Sequence, residues 1–324
     1  MSHDFYGEFW DQKHEINFRN LENNVPKTFV RAKLLKLGKK SENARSKHKE
    51  WIKSLNLSEE CDLIKSLGIS EVTGINEPLN YSYLFKINFK LKKSYISKDD
   101  EEFYVVDNSI CKDKVFKVPL VRPSSWKGAL KYSAMKSVLG KEDQEKVNAR
   151  ITLLRLFGNE KETMNRFLDE QFGELKNEYK KKLKEIYGGE NPNLKGRLVF
   201  YPTFFRQVAL DVITPHNRET KTPTKSMGPI YFETVPPETT GTFYLLYFPF
   251  DLIDKEEKIN AKQKEDLNFL IDSIIDMFTK YGFGAKTTSG YGVANLTDIE
   301  INGKDYKNDF NKAFEGMKNE WKSN

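Results

Sequence analysis

Hydrophobic and polar positions alternate most clearly in YSYLFKINFKLKKSYI, starting at Tyr81. Tyr83, Phe85, Ile87, Phe89 and Leu91 fall on one side, and Lys86, Asn88, Lys90 and Lys92 on the other. A period of two with one apolar face predicts a strand buried on one side. After Pro123 the period lengthens. Leu130, Ala134 and Val138 recur every four residues as an apolar stripe that ends at Gly140, which predicts a helix. Pro123 followed by Ser124 and Ser125 marks its start, with serine hydroxyls expected to cap the N–H groups of the first turn. A stretch of interleaved charges runs to Tyr187 and reads as an exposed helix, broken by Gly188, Gly189 and Pro192. Residues 197–205 (RLVFYPTFF) read as a buried strand. Residues 230–235 and 242–250 read as strands joined through PPETTG as a hairpin, and residues 293–301 as a last strand. Before that strand, Leu267, Leu270, Ile271, Ile274, Ile275 and Phe278 recur at helical spacing over 261–281, ending at Gly282.

A helix after the first strand and another before the last predict an α+β fold with a split βαβ, ferredoxin-like core. This core is expected over 79–324. Residues 1–78 are polar and helix-permissive, with an apolar scatter at Trp51, Ile52, Leu55 and Leu57, and are expected to form an N-terminal extension. One polar, proline-punctuated excursion, NRETKTPTKSMGP, interrupts the strands at about 213–230; its Arg218, Lys221 and Lys225 face a single acid, Glu219. An excursion of that length inside a compact domain is commonly either functional or disordered.

Charge sharpens this picture mainly through its distribution. The 324 residues carry a net charge of +6, a mild basic bias. Between Lys27 and Lys53, however, ten Lys/Arg stand against two Glu, an excess of eight that is larger than the whole chain's. Such a block is a solvated helix face, a mobile arm, or a contact for RNA, DNA or another polyanion. Two isolated cysteines, Cys61 and Cys111, are too few for a zinc site or a disulfide framework and suit a reducing setting. The opening MSHDFYGEFW has early acids, and no apolar run approaches a membrane span, so a cytoplasmic protein without membrane contact is expected.

Two stretches carry candidate chemistry. The first is GFGAKTTSGYG, Gly282 to Gly292, with four glycines, no acid, and donors at Lys286, Thr287, Thr288 and Ser289. Free backbone N–H groups there, including those at Gly284 and Gly290, suit a phosphate. Neither a Walker loop nor a dinucleotide loop fits, because each needs a helix to follow and a strand follows here. A turn without a ligand is the alternative. The second stretch is the start of the Pro123 helix, where Ser124 and Ser125 precede Lys127 and Lys131, four residues apart on one face. It reads as an anion site or as a well-capped core helix with solvated lysines. The lysine-bearing face of the first strand is likewise either exposed to water or turned toward RNA.

Several of these stretches, in this order, resemble the RAMP superfamily of CRISPR-associated proteins. VDNSICKDKVFKVPLVRPSSWKGALK resembles the family's Asp-Asn-Pro … Gly-Ser-Ser-Leu-Lys-Gly segment, with Asp107, Ser124, Ser125, Lys127 and Gly128 at matching positions. LLRLFGN is similar to its Leu-Phe-Gly element, and GRLVFYPTFF to its Gly-x-Leu strand. NRETKTP … IYFETVPPETTGTF is similar to the segment that contributes a thumb hairpin, and GFGAKTTSGYG to its double Gly-hydrophobic-Gly loop. Together they span about residues 81–301. The sequence departs from the pattern in having Arg122-Pro123 for Pro-Gly, Trp126 for a leucine, and Tyr201-Pro202 for Asp-Ala.

The resemblance is strongest to the backbone subunits (Csm and Cmr type) of type III RNA-guided effector complexes. It implies a CRISPR RNA-binding subunit in antiviral defence, with target RNA and other type III effector subunits as partners. It implies that the serine-lysine helix and the glycine loop hold guide phosphates, and that the thumb, with Arg218, Lys221 and Lys225, kinks the guide. At the position of Asp107, catalytic members cleave the paired target RNA as endonucleases, with Mg2+ or another divalent cation; the alternative for Asp107 is a turn-forming Asp before Asn108. One carboxylate cannot build a two-metal site alone, so no further metal ligands are assigned. Two alternatives stay open. Pro215-His216 is similar to the non-catalytic subunit that caps the 3′ end of the guide. The glycine loop is also shared with endoribonucleases that process the precursor guide, for which His216 would be the candidate acid/base.

Overall fold

The structure is a computed structural model and describes residues 42–72, 81–99, 108–159, 162–190, 192–214, 229–252 and 256–306. Its main elements are α1 (Glu42–Ser54), α2 (Ser58–Ser66), β1 (Tyr83–Leu91), α3 (Pro123–Leu139), α4 (Asp143–Phe157), α5 (Glu162–Phe172) and α6 (Leu175–Tyr187), then β2 (Leu198–Phe200), β3 (Ala209–Ile213), β4 (Ile230–Thr234), β5 (Thr240–Tyr247), α7 (Glu256–Asp276), β6 (Ala294–Ile301) and β7 (Lys304–Asp305). The fold mixes helices with antiparallel sheet. The chain divides into two compact units, each discontinuous in sequence. One comprises 1–69, 93–120 and 204–239, and the other 70–92, 121–203 and 240–324.

The second, larger unit is built on a five-stranded sheet in the order β2-β5-β1-β6-β7. β1 is its central strand, antiparallel to β5 (Phe85 opposite Leu245, Ile87 opposite Phe243) and to β6 (Ile87 opposite Ile299). The register slips at Asn88/Phe89, where β6 bulges by one residue. Alternation decides the burial: Phe85, Ile87, Phe89 and Leu91 are buried while Leu84, Lys86, Asn88 and Lys90 are half-exposed. Each such buried side chain contributes roughly 1.5–3 kcal/mol, so the sequence pattern fixes which face takes the helices. Lys86 donates to Glu300 at 2.9 Å, and that hydrogen bond is the main cause of a raised ammonium pKa. Asn88 accepts from Thr242 at 2.8 Å.

α3, α4 and α7 pack as the helical layer of this unit. Ser133 donates to the Ser273 carbonyl at 2.7 Å, fastening α3 to α7. At the end of α4 the Leu-Phe-Gly element has a plain physical reason. Leu156 and Phe157 are buried, and Gly158 turns with φ +78° where a Cβ would lie 2.7 Å from the Gly196 nitrogen. Beneath lies an ionic network. Asp266 of α7, fully buried, accepts from Arg155 Nε (2.7 Å), Arg197 Nη1 (2.6 Å) and the Tyr247 hydroxyl (2.9 Å). Arg197 also holds Asp251 at 2.8 Å.

α7 is predicted by its stripe but differs at its end. It starts at Glu256, ahead of the expected 261, and passes at Met277–Tyr281 into a π-helical turn closed by Gly282 N–H to the Met277 carbonyl at 2.8 Å. The extra residue in that turn buries Met277 and Phe278 together, while Ile275 becomes half-exposed.

α4, α5 and α6 meet around Arg150. Its buried guanidinium sits over the rings of Phe172 (4.6 Å) and Tyr179 (4.1 Å) and donates to Asp169 at 2.7 Å. Lys176 reaches the same carboxylate at 2.8 Å. Burial alone would raise the Asp169 pKa, but hydrogen bonds from Lys176 and Arg150 outweigh it and hold the carboxyl below the ordinary range. A carboxyl with a depressed native pKa contributes stability that is complete above the ordinary carboxylate value and lost as pH falls through the native one. Wild-type protein should therefore be more stable than Asp169→Asn at neutral pH. The gap, read from urea midpoints, should shrink as pH falls below the ordinary carboxylate range, and a gap independent of pH would remove the ion pair from the account.

The first unit is strand-poor. β3 and β4 pair antiparallel, with Ala209 opposite Thr234 and Ile213 opposite Ile230. Tyr95 and Val235 exchange both backbone hydrogen bonds (2.9 and 3.0 Å), and Asn108 bridges Phe232. The expected hairpin through PPETTG is therefore corrected. β4 pairs with β3, whereas β5 pairs with β1 and β2. Pro236 and Pro237 have no N–H to donate to a ladder, and Glu238 takes φ +66°. Val118 packs on Cys61 and Ile64 of α2, with Phe116 and Phe204 alongside. Both cysteines are buried free thiols. Glu233 of β4, also buried, holds Lys112 and lies 3.2 Å from His48 of α1. Among the described residues no helix is long and apolar enough to cross a membrane.

Candidate nucleic-acid interface

Two of the sequence candidates meet within the larger unit. α3 starts at Pro123, whose missing N–H costs nothing at the first helical position. The cap is Arg122, in extended conformation, and no side chain caps the turn. The N–H groups of Ser125 (2.9 Å) and Trp126 (3.1 Å) go to the Arg122 carbonyl. The expected serine cap is thus absent, and Ser124 and Ser125 are exposed with Lys127 and Gly128 on the first turns, with Lys131 half-exposed beyond them. Burial, and then the Lys131 ammonium, hold the Lys127 pKa below the ordinary lysine value. A phosphate near both ammonium groups would relieve that repulsion.

Trp126 holds this turn in place. It is fully buried, donates from Nε1 to Thr203 Oγ1 at 3.1 Å, and packs against Phe283 (4.5 Å between ring centroids), Phe243 (4.8 Å), Phe278 (5.6 Å) and Phe89 (5.9 Å). Phe283 is the second residue of the glycine loop. A departure from the family pattern, tryptophan for leucine, is therefore the contact that sets the serine-lysine turn beside that loop.

The glycine loop has a closed neck and an open tip. Phe283 N–H donates to the Gly292 carbonyl at 3.2 Å. Gly292 has φ +72° and comes so close to its neighbour that a Cβ would fall 1.9 Å from the Phe283 oxygen. In the tip, Lys286 takes the left-handed conformation (φ +56°) and a 3₁₀ turn follows at Thr287–Ser289. Ser289 N–H bonds the Lys286 carbonyl (2.9 Å) and Gly290 N–H the Thr287 carbonyl (2.8 Å). The expectation of free backbone N–H groups therefore fails at Phe283, Ser289 and Gly290, because these close the neck and the turn. What the tip presents instead is the exposed side chains of Lys286, Thr288 and Ser289 and the half-exposed one of Thr287, with Gly284 exposed and Gly290 half-exposed beside them.

Asp107, Arg218, Lys221, Lys225 and His216 lie outside the described residues, as does the basic block up to Ser41. The residue after Asp107 is held firmly: the Asn108 carbonyl accepts the Glu233 N–H at 2.9 Å and the Ser109 carbonyl accepts the Asp99 N–H at 3.1 Å. Among the described residues no three His, Cys, Asp or Glu side chains group as a cation site. Sequence reasoning passed over Tyr132 and Tyr281, whose rings meet edge to face at 5.6 Å beside the serine-lysine turn and the loop. The signal available was their position, one residue after Lys131 and one before Gly282.

No curated protein matches the sequence. A chain of a cryo-EM structure of the type III-B Cmr-beta bound to cognate target RNA is similar at 16% identity and a TM-score of 0.38, with 91% of this chain and 87% of that chain covered. The family model of the RAMP superfamily matches residues 68–295, most of the 324 residues and every stretch from β1 to the glycine loop. The chain belongs to the RAMP superfamily.

Proposed function

We propose that this RAMP protein is a CRISPR RNA-binding subunit of a type III RNA-guided antiviral effector complex. The observation that carries the reading is the Trp126–Phe283 contact at 4.5 Å, which sets the exposed Ser124, Ser125 and Lys127 beside a glycine loop whose tip offers Lys286, Thr287 and Ser289. Such a surface, cationic and rich in hydroxyls, holds phosphates and carries no base code, leaving sequence to be read by guide–target pairing. The β-α-β-β-α-β order of β1, α3, β2, β5, α7 and β6 supports a ferredoxin-like platform for it. The β3–β4 hairpin, with Arg218, Lys221 and Lys225 between its strands, is read as the thumb.

Cleavage of the paired target is assigned to Asp107. A divalent cation such as Mg2+ would be shared between that single carboxylate and RNA phosphates, a donor set such ions accept, and would supply charge neutralisation at the scissile phosphate. The test is to purify the protein with its co-expressed neighbours and a CRISPR array, and to sequence the bound nucleic acid. Repeat-derived RNA of discrete length is the expected result, and an assembly free of RNA refutes the reading. With the assembly in hand, Asp107→Ala should leave it intact and stop target cutting. Unchanged cutting would make the chain the guide-capping subunit instead.

A further inference from the structure

Ser125, Gly128 and Tyr132 are spaced i, i+3, i+7 on α3 and so lie on one face of the helix. Gly128 is exposed in the middle of a helix, where glycine is a poor choice. A Cβ built on it meets nothing within 4 Å. Among the described residues no packing requires that glycine, and its bare backbone leaves room for a bound molecule to approach the helix. Further along the same stripe Tyr132 is 47% exposed. Its ring meets that of Tyr281 edge to face at 5.6 Å, and Tyr281 immediately precedes the glycine loop. Lys136 Nζ lies 5.6 Å over the Tyr132 ring and Lys280 Nζ 5.1 Å over the Tyr281 ring, with Asp276 loosely paired to Lys280 at 3.8 Å. An exposed aromatic ring flanked by cations is the chemistry that holds an unpaired nucleobase and its phosphate.

We propose that Tyr132, braced by Tyr281, is a stacking platform for one base of single-stranded RNA, and that Gly128 lets the RNA backbone run against α3 between Ser125 and that platform. The inference rests on the RNA-binding reading above and adds a base contact to its phosphate contacts. A protein partner would use the same rings without needing a base.

The test uses the full chain and two fluorescein-labelled oligomers of about twelve nucleotides, an oligouridylate and an abasic strand of the same length and charge, with affinities read by anisotropy. Wild-type protein should bind the uridylate more tightly. Tyr132→Ala should lower uridylate affinity roughly 5- to 100-fold and erase the difference between strands, while Tyr132→Phe keeps it. Gly128→Ala should raise the thermal midpoint yet weaken both strands. Tyr132→Ala protein that binds uridylate as wild type does, or Gly128→Ala protein that gains stability with affinity unchanged, overturns the proposal. If Lys127→Glu weakens both strands in that case, the phosphate reading survives alone. If wild-type protein binds neither strand, both readings fall.

Discussion

Asp266→Ala should destabilise the protein by about 3–5 kcal/mol, the cost of breaking a buried ion pair by removing one partner. The size follows from what remains. Arg155 and Arg197, both buried, lose the carboxylate that sits between them, and Tyr247 loses the acceptor for its hydroxyl. Arg197 keeps Asp251, and Arg155 keeps Glu265 at 3.3 Å, but both of those carboxylates are partly exposed and neither reaches the other guanidinium by an observed hydrogen bond. Asp266→Asn should fall between, since an amide oxygen still accepts while the charge is gone. Urea unfolding followed by circular dichroism reads the difference. An unchanged midpoint in Asp266→Ala would mean that the network contributes no net stability. A fully apolar replacement of Arg155, Arg197 and Asp266 is a different experiment, because it removes the charges together with their desolvation cost.

Lys127→Glu combined with Lys131→Glu should weaken RNA binding roughly 10- to 100-fold at low salt, with little change in folding. Neither side chain is buried in the core, and partial burial followed by the neighbouring Lys131 ammonium lowers the Lys127 pKa. If each ammonium neutralises one phosphate of a single strand, losing both should flatten the slope of log affinity against log salt by about 1.4. The slope is the sharper readout. A variant with weaker binding and an unaltered slope has lost something other than phosphate contacts. One with both unaltered places the RNA elsewhere on the molecule.

Much of the architecture was legible because it rests on period and punctuation. The five apolar residues of β1, the stripe of α3 up to Gly140 and, Ile275 apart, the stripe of α7 up to Gly282 become buried faces. What could not be read were choices between partners. Nothing in residues 230–250 says that β4 pairs with β3 and β5 with β1, because pairing depends on residues far along the chain. The same holds for the buried Glu233 with Lys112 and His48, separated by up to 185 positions, which look in the sequence like three unrelated polar residues. At the candidate site, residue types were informative and conformations were not. Ser124 and Ser125 are cap residues by type, but no side chain caps the turn and the Arg122 carbonyl takes the N–H groups of Ser125 and Trp126. Trp126 looks in the sequence like a departure from a pattern, though its ring joins the two elements.

The neck of the glycine loop has a consequence for how this surface can change over generations. Because Phe283 and Gly292 clamp the chain where it leaves α7 and where it enters β6, residues 284–290 are insulated from the sheet. Gly284 and Gly290 take φ +90° and +83° and so resist a side chain, but substitutions at Thr288 and Ser289 leave the neck's backbone contacts untouched and alter what the loop grips. A side chain at position 292 meets a backbone oxygen whatever its chemistry. Grip and scaffold are therefore separable within eleven residues.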